Sequence, residues 1–489
     1  MVFSSLLFLF YFLPIVLVAY YLAPKAWRNP LLFFVSLFFY AWGEPVYVLL
    51  MLFTTAAGWA AGLLLRRWEK DRVKARAALI LASAVNLALL GFFKYGGLVL
   101  ESVAALSGRP PTAWTLPLPL GISFYTFQTM SYVIDVYRGQ APTQPNFLSF
   151  GAYVALFPQL IAGPIVRYNT IAEQLIRRRE NLALLGRGAG LFVVGLAKKV
   201  LLANNIGLFW DQIRALPAGE MTWLAAWSGI IGFGLQLYFD FSGYSDMAVG
   251  LGRMFGFYFE PNFQYPYISR SVTEFWRRWH ISLGTWFREY LYIPLGGSRG
   301  GQAQTLRNLL IVWAATGLWH GASWNYLFWG LYYFLFLAGE KSLWGRWLAR
   351  KPGWLGHAYT LLVVMTGWTL FVFEDTGDLL RFAGALVGLA PAGLDPSGLG
   401  AASLGAAGLG GAISLANDTI LYALSSFGGV LLAAILAATP LPAALWARLT
   451  AKWPKQSACL RPALLLFGLL LSVAYLVDSS YNPFLYFRF

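Results

Sequence analysis

The sequence predicts an all-α protein that threads a membrane many times, and three observations carry that prediction. Hydrophobic residues fill 58% of the 489 positions and charged residues only 12%, too little charge to coat a soluble domain of that size. Apolar runs recur along the whole chain, Leu6–Leu22, Ala77–Phe93, Leu361–Val372, Ile420–Ala438 and Pro462–Val477 among them. Such runs suit the roughly 20 residues a crossing helix needs, with shorter ones tilted or enclosed. They are continuous and not alternating, which is the pattern of helices and excludes a barrel. A mean hydropathy of +0.59 agrees. The expectation is one integral-membrane domain over residues 1–489, with roughly 10–13 transmembrane or re-entrant helices and the informative motifs between 120 and 340.

Taken in order, the opening "MVFSSLLFLFYFLPIVLVAYYLAPKAWRN" has no positive residue before its apolar stretch and no small-residue cleavage site. It reads as an uncleaved first span. Basic residues punctuate the later spans at Lys25–Arg28, "RRWEKDRVKAR" (66–76), "RRR" (177–179), 270–307, "EKSLWGRWLARK" (340–351) and Arg448–Arg461. The net charge of +15 is thus parcelled between apolar segments, which argues against nucleic acid as a partner and follows the positive-inside pattern. Acidic residues Glu374, Asp375, Asp378, Asp395 and Asp418 collect in a Gly/Ala-rich loop. With basic connections on the cytoplasmic side, that loop and both termini of the multi-pass chain are expected outside.

From Asn308 to Gly339 there is no Asp, Glu, Lys or Arg, and His320 is one of only three histidines. A straight helix of that length would measure about 48 Å at roughly 1.5 Å per residue, too long for a bilayer core of about 30 Å. The run either tilts strongly or enters, breaks near Gly317 and Gly321, and returns. Either way His320 lies at membrane depth, where an ionisable group is costly and usually functional. A hydrogen bond to a neighbouring helix is the plainer alternative.

Two further stretches mix polar and aromatic residues. "PYISRSVTEFWRRWHISLGTWFREYLYIPLGGSRGG" (266–301) sets Arg270, Arg277, Arg278, Arg288 and Arg299 among Trp276, Trp279, Trp286, Phe287 and Tyr290, and includes His280. On a helix Glu274 and Arg278 are i,i+4 partners. The segment fits an interfacial amphipathic helix with snorkelling arginines or a cytoplasmic mouth whose cations hold a phosphate-bearing donor. "LQLYFDFSGYSDMAVGLGRMFG" (235–256) places Asp240, Ser242 and Asp246 among aromatic and small residues, as a buried polar network or as direct participants.

What is missing narrows the chemistry. The lone Cys459 excludes an internal disulfide and a multi-cysteine metal site, and it has no His or acid nearby. There is no G-x-S-x-G elbow, P-loop or dinucleotide fingerprint. His320 is followed five positions later by Asn325 and His280 by Thr285, so the H-x₄-D pattern of soluble acyltransferases is absent.

"YFDFSGYSDMAVGLGRMFGF", "SVTEFWRRWHISLGTWFREYLYIPLGG" and "GLWHGASWNYLFWG" resemble the core of the membrane-bound O-acyltransferase family, in its bacterial polysaccharide branch. The likeness extends to the N-terminus, to "ISFYTFQTMSYVIDVYRG" (122–139), "FPQLIAGPIVRY" (157–168) and the terminal "PFLYFRF", and is weakest over 380–460. The resemblance implies helices around a central tunnel, with an acyl thioester such as acetyl-CoA arriving from the cytoplasm as substrate, and neither bound cofactor nor metal. It implies that His320 is catalytic and that His280 is a second polar position toward the cytoplasm. Arg277, Arg278, Trp276, Trp279, Trp319 and Asn325 become candidates for donor binding or tunnel lining, and Trp319 or Asn325 for an oxyanion donor. The implied partners are membrane lipid, an exported SGNH-hydrolase-like acetyltransferase and an exopolysaccharide such as alginate. Gly284 stands where the branch usually has Ser, a small change. The Gly/Ala-rich 396–412 segment is less typical and bears on docking at the exported side.

The chemistry also stands apart from the family. Moving acetyl from a thioester to a hydroxyl requires the hydroxyl proton to leave as the new C–O bond forms, and a placed neutral imidazole contributes about 10²–10⁴-fold by taking it. The thiol leaves readily, so no covalent intermediate is needed. A transporter using Lys94, Asp135, Asp240 and Asp246 as coupling sites and a non-catalytic scaffold are the competing classes. The first predicts movement of intact sugar, the second that His320 is dispensable.

Overall fold

The computed structural model describes residues 1–108, 110, 114, 116–161, 163–390, 410–412 and 414–478. These residues are predominantly helical, and the strands among them form one short antiparallel ribbon, Leu389–Ala390 against Gly410–Ala412. Six helices are long and apolar enough to cross a bilayer: Val48–Arg67, Arg72–Ser107, Leu182–Arg214, Gly353–Val372, Asp418–Ala437 and Pro454–Asp478. The apolar runs read from the sequence all fall on helices. Several starts are set by a polar residue whose side chain accepts an otherwise orphaned N–H of the first turn. Asp71 accepts from Lys74 at 3.2 Å, Thr222 from Ala225 at 3.1 Å, and Asn417 from Ile420 at 3.1 Å. The last two long helices leave leucine and phenylalanine outward, including Leu432, Leu466 and Phe467, a surface that only lipid or another apolar phase covers well. The chain is a multi-pass membrane protein.

Two buried apolar cores fill the interior. One joins the N-terminal helices to 122–175 and 241–259. The other joins 203–239, 272–279, 313–337 and 363–386. Trp319 belongs to the first, while Trp313, Tyr326 and Trp329 belong to the second. His320 therefore sits on the seam.

Helix Trp223–Met254 lies so close to Leu182–Ala197 that a Cβ on Gly195 would come within 2.5 Å of the Gly243 carbonyl, and one on Gly188 within 2.5 Å of the Gly250 carbonyl. Small residues bring the backbones together here as they do between membrane helices generally.

Three expectations change. The loop expected around 374–419 contains a helix, Thr376–Leu386, started by Asp375, whose carboxylate accepts the Asp378 N–H at 2.9 Å. The basic stretch Arg448–Arg461 is not a polar connection but the end of helix Leu441–Lys452 and the start of Pro454–Asp478, and Cys459 is exposed on the latter. The 266–301 segment is no single surface helix. It is broken into Val272–Arg278, Ile281–Phe287 and a π-turn Arg288–Tyr292, with Phe275, Trp279, Trp286 and Phe287 buried. Asp395, the 396–409 part of the Gly/Ala-rich segment and the terminal "PFLYFRF" lie outside the described residues.

Candidate active site

The charge-free run is a hairpin. Helix Gly301–His320 ends at His320, residues 321–323 are non-helical, and helix Trp324–Ser342 returns. The two ends close on each other, since Lys341 Nζ donates to Ser298 Oγ at 3.0 Å. The break falls after His320. Gly317 remains helical, and its role is contact: a Cβ there would collide with the Tyr326 carbonyl. Entering, breaking and returning thus describes the run, and tilting does not.

His320 is buried at the hairpin tip in an aromatic cage. Its ring centroid lies 4.9 Å from Trp329, 5.1 Å from Trp319 and 5.4 Å from Phe371, each nearly edge-on. Its Nδ1 has no hydrogen-bond partner among the described residues. Both His320 and His280 line one cavity of about 180 Å³, walled also by Trp276, Trp279, Thr316 and Arg288. Forty residues of sequence separate the two histidines, and the fold brings them to one chamber.

His280 reaches it through an uncommon backbone. With φ 47° and ψ 54° it sits in the left-handed region, which costs a non-glycine residue about 1 kcal/mol or more. It marks the sharp corner between the two short helices. The corner is held by Asn262, whose carbonyl oxygen accepts the Ile281 N–H at 3.0 Å. The Phe241 ring stands nearly perpendicular to the imidazole, with centroids 4.7 Å apart.

The remaining candidates divide. Trp276 lines the chamber and packs on Trp313 at 4.9 Å and Tyr333 at 4.7 Å. Trp279 also lines the chamber and lies 5.0 Å from Trp368. Trp319 is held between Phe124 and Phe127, each at 5.7 Å, and its indole N–H has no partner among the described residues. Asn325 does not offer a donor to the chamber. Its amide group donates to the Leu370 and Phe371 carbonyls at 3.4 and 3.3 Å, tying the hairpin to the end of helix Gly353–Val372.

Arg278 forks onto Glu274, with contacts of 3.0 and 2.8 Å, and donates to the Gln264 carbonyl, so it braces the segment. Arg277 instead lines a separate cavity of about 730 Å³, which carries Arg270, Lys341, Arg346 and Lys351 as well. Glu340 is also in that wall. Its oxygens accept the Val272 and Thr273 N–H groups at 2.6 and 2.8 Å. Leu309 lines both cavities.

Asp240 and Asp246 do not face the chamber among its lining residues. Asp240 pairs with Lys199 at 2.6 Å and Asp246 with Lys198 at 2.7 Å, while Ser242 is buried beside them in the same helix. These are inter-helix ties, and their lysine halves were missed in the sequence. The available signal was "AKKV" inside an apolar run, since lysine there needs a partner. Among the described residues no group of three or more His, Cys, Asp or Glu is placed to hold a metal.

Comparison with known proteins agrees with this architecture. Residues 138–373 match the family described as MBOAT, membrane-bound O-acyltransferase. The protein named "Probable alginate O-acetylase AlgI" in Pseudomonas putida is 40% identical over the whole of both chains. Its counterpart in Pseudomonas syringae pv. tomato is 44% identical over 79% of this chain and 75% of that one. The peptidoglycan O-acetyltransferase of Helicobacter pylori is 33% identical over 80% of each. The likeness thus extends over the entire chain, histidine hairpin included, and the chain belongs to the membrane-bound O-acyltransferase family.

Proposed function

We propose that this acyltransferase moves acetyl from a cytoplasmic thioester, acetyl-CoA or an equivalent, to a hydroxyl of an exported partner protein or exopolysaccharide, with His320 as the general base. The observation that carries the reading is the meeting of His320 and His280, from separate motifs, on one small aromatic chamber. In the reaction, His320 takes the acceptor's hydroxyl proton as the oxygen bonds to the thioester carbon. The tetrahedral intermediate then expels the thiolate, which recovers a proton from the imidazolium. Its oxyanion needs a donor, and two indole N–H groups without a partner among the described residues are candidates, Trp276 on the chamber wall and Trp319 next to the histidine. His280 is the second imidazole of the chamber, toward the donor.

The chamber's size favours a short acyl group, since about 180 Å³ is more than ten times the roughly 10–15 Å³ that one water needs but small for a drug-sized ligand at about 300–1,000 Å³. The basic cavity beyond Leu309 suits the phosphates of the donor, because Arg and Lys bind phosphate by charge-assisted hydrogen bonds. The positive-inside pattern favours a cytoplasmic side for that cavity and an outside position for the termini. The names of the relatives, an alginate O-acetylase and a peptidoglycan O-acetyltransferase, favour a polysaccharide as the final acceptor, with an SGNH-hydrolase-like exported protein as intermediary.

The test is His320→Ala in cells producing the polymer. Acetylation should fall by about 10²-fold or more while membrane levels of the protein hold. Unchanged acetylation removes His320 from the mechanism. Labelled donor separates the classes: label appearing covalently on acceptor supports transfer, whereas passage of unmodified sugar supports a transporter.

A further inference from the structure

The helix that carries His320 is gripped from outside by a second helix. Helix Gly301–His320 stops at its histidine, so its last carbonyls have no N–H of the next turn to bond. Two side chains of helix Arg72–Ser107 fill that role: Lys94 Nζ donates to the Trp319 carbonyl and Tyr95 OH to the Leu318 carbonyl. Lys94 is buried, 8% exposed, near the middle of a membrane-spanning helix. Its ammonium also stands 5.7 Å from the centroid of the Trp319 ring. Among the described residues it forms no ion pair with a carboxylate. A cation at that depth without a counter-anion is expensive. What faces it is the negative end of the histidine helix, whose aligned peptide dipoles favour a cation at the C-terminus.

We propose that Lys94 is a positioning residue for His320, fixing the last turn of its helix so that the imidazole faces the chamber, with Tyr95 as the lesser half of the same clamp. This rests on the reading of His320 as the base. The histidine is the terminal residue of its helix, so the chain beyond it supplies no further helical turn to hold it. A packing role alone would be met by an apolar side chain of equal length. The observed contact is instead a directed hydrogen bond from a charged donor to the carbonyl immediately before the histidine. Sub-ångström placement matters in such a site, and about 1 Å of error costs on the order of 10²-fold in rate.

The test compares Lys94→Met and Lys94→Arg with the unsubstituted protein in detergent. Three quantities are read: the melting temperature, kcat and donor KM for acetyl transfer, and the diethylpyrocarbonate modification rate of each histidine by mass spectrometry. The chain's three histidines, His280, His320 and His357, make the last readout residue-specific. Lys94→Met should lower kcat by about tenfold or more with KM within about twofold, and shift the modification rate of His320 severalfold while His280 and His357 hold. Lys94→Arg should recover most of both. An unchanged His320 modification rate in Lys94→Met overturns the proposal, as does a fall in kcat matched by equal changes in KM and melting temperature. If Lys94→Met does not fold, Tyr95→Phe replaces it, with a smaller shift in the same two readouts expected and no shift overturning the clamp. The chemical modification needs no turnover. An active His320→Ala variant would therefore sink the base assignment while leaving the clamp to be judged by His320 reactivity.

Discussion

His280 Nδ1 lies 3.3 Å from Asn262 Oδ1, and the same oxygen accepts the Ser282 N–H at 3.0 Å. The second contact fixes which end of the Asn262 amide faces the ring, because a backbone donor requires the oxygen. An amide oxygen facing Nδ1 favours the neutral tautomer protonated there, with the lone pair on Nε2, while Ser282 Oγ stands 3.5 Å from the same nitrogen. One asparagine thereby braces both the ring of His280 and the corner on which it sits. Asn262→Ala should remove the acceptor for Ser282, costing about 1–3 kcal/mol, and release the ring. Transfer should fall roughly tenfold or more at temperatures where the variant is folded. Steady-state kinetics beside a thermal melt measures this, and an unaltered rate would detach Asn262 from the site.

The Lys199–Asp240 pair is a buried tie, each side chain 3% exposed. Removing one partner leaves an uncompensated charge, so Asp240→Ala should destabilise the protein by about 3–5 kcal/mol. Replacing both, as Lys199→Met with Asp240→Leu, should restore much of that loss. Melting curves of the two single variants and the double variant decide it. A double variant no better than the singles would mean the pair does more than join helices.

Gly195 and Gly186 share a helix but not an environment. A Cβ at Gly195 meets the Gly243 carbonyl at 2.5 Å, whereas nothing lies within 4 Å of one at Gly186. Gly195→Ala should cost about 1–3 kcal/mol through overpacking. Gly186→Ala should be neutral or stabilising by up to about 1 kcal/mol, from helix propensity alone. Equal melting temperatures for the two variants would contradict the close backbone approach.

The basic cavity makes a kinetic claim. Replacing Lys341 and Arg346 together with Gln should raise the donor KM by about tenfold, in line with charge-assisted phosphate contacts, and leave kcat nearly as it was. A phosphate-free donor such as acetyl-pantetheine should be insensitive to the change. If both donors weaken alike, the cations serve folding or lipid contact and not the donor.

The sequence made the membrane class legible because apolar length and scarcity of charge are local quantities. The hairpin at His320 was legible for the same reason: a charge-free run longer than a bilayer leaves few geometries, and only the break point had to be found. The 266–301 segment was not legible, because its helical spacing continues through His280 while the backbone there turns left-handed. Nothing in the residue types announces that corner. Lys198, Lys199 and Lys94 were undervalued because their partners, Asp246, Asp240 and the Trp319 carbonyl, lie from about forty to more than two hundred positions away. Asn325 shows the converse. Its nearness to His320 in sequence suggested the chamber, yet its amide is spent on the carbonyls of another helix.

The two apolar cores abut at the histidine chamber, and its width depends on how these packed blocks are pressed together as well as on the residues lining it. A surrounding bilayer that is too thin or too thick exerts that pressure through hydrophobic mismatch. Turnover should therefore respond to lipid tail length even where the melting temperature does not, as reconstitution into bilayers of graded thickness would reveal. The membrane becomes a working part of the enzyme.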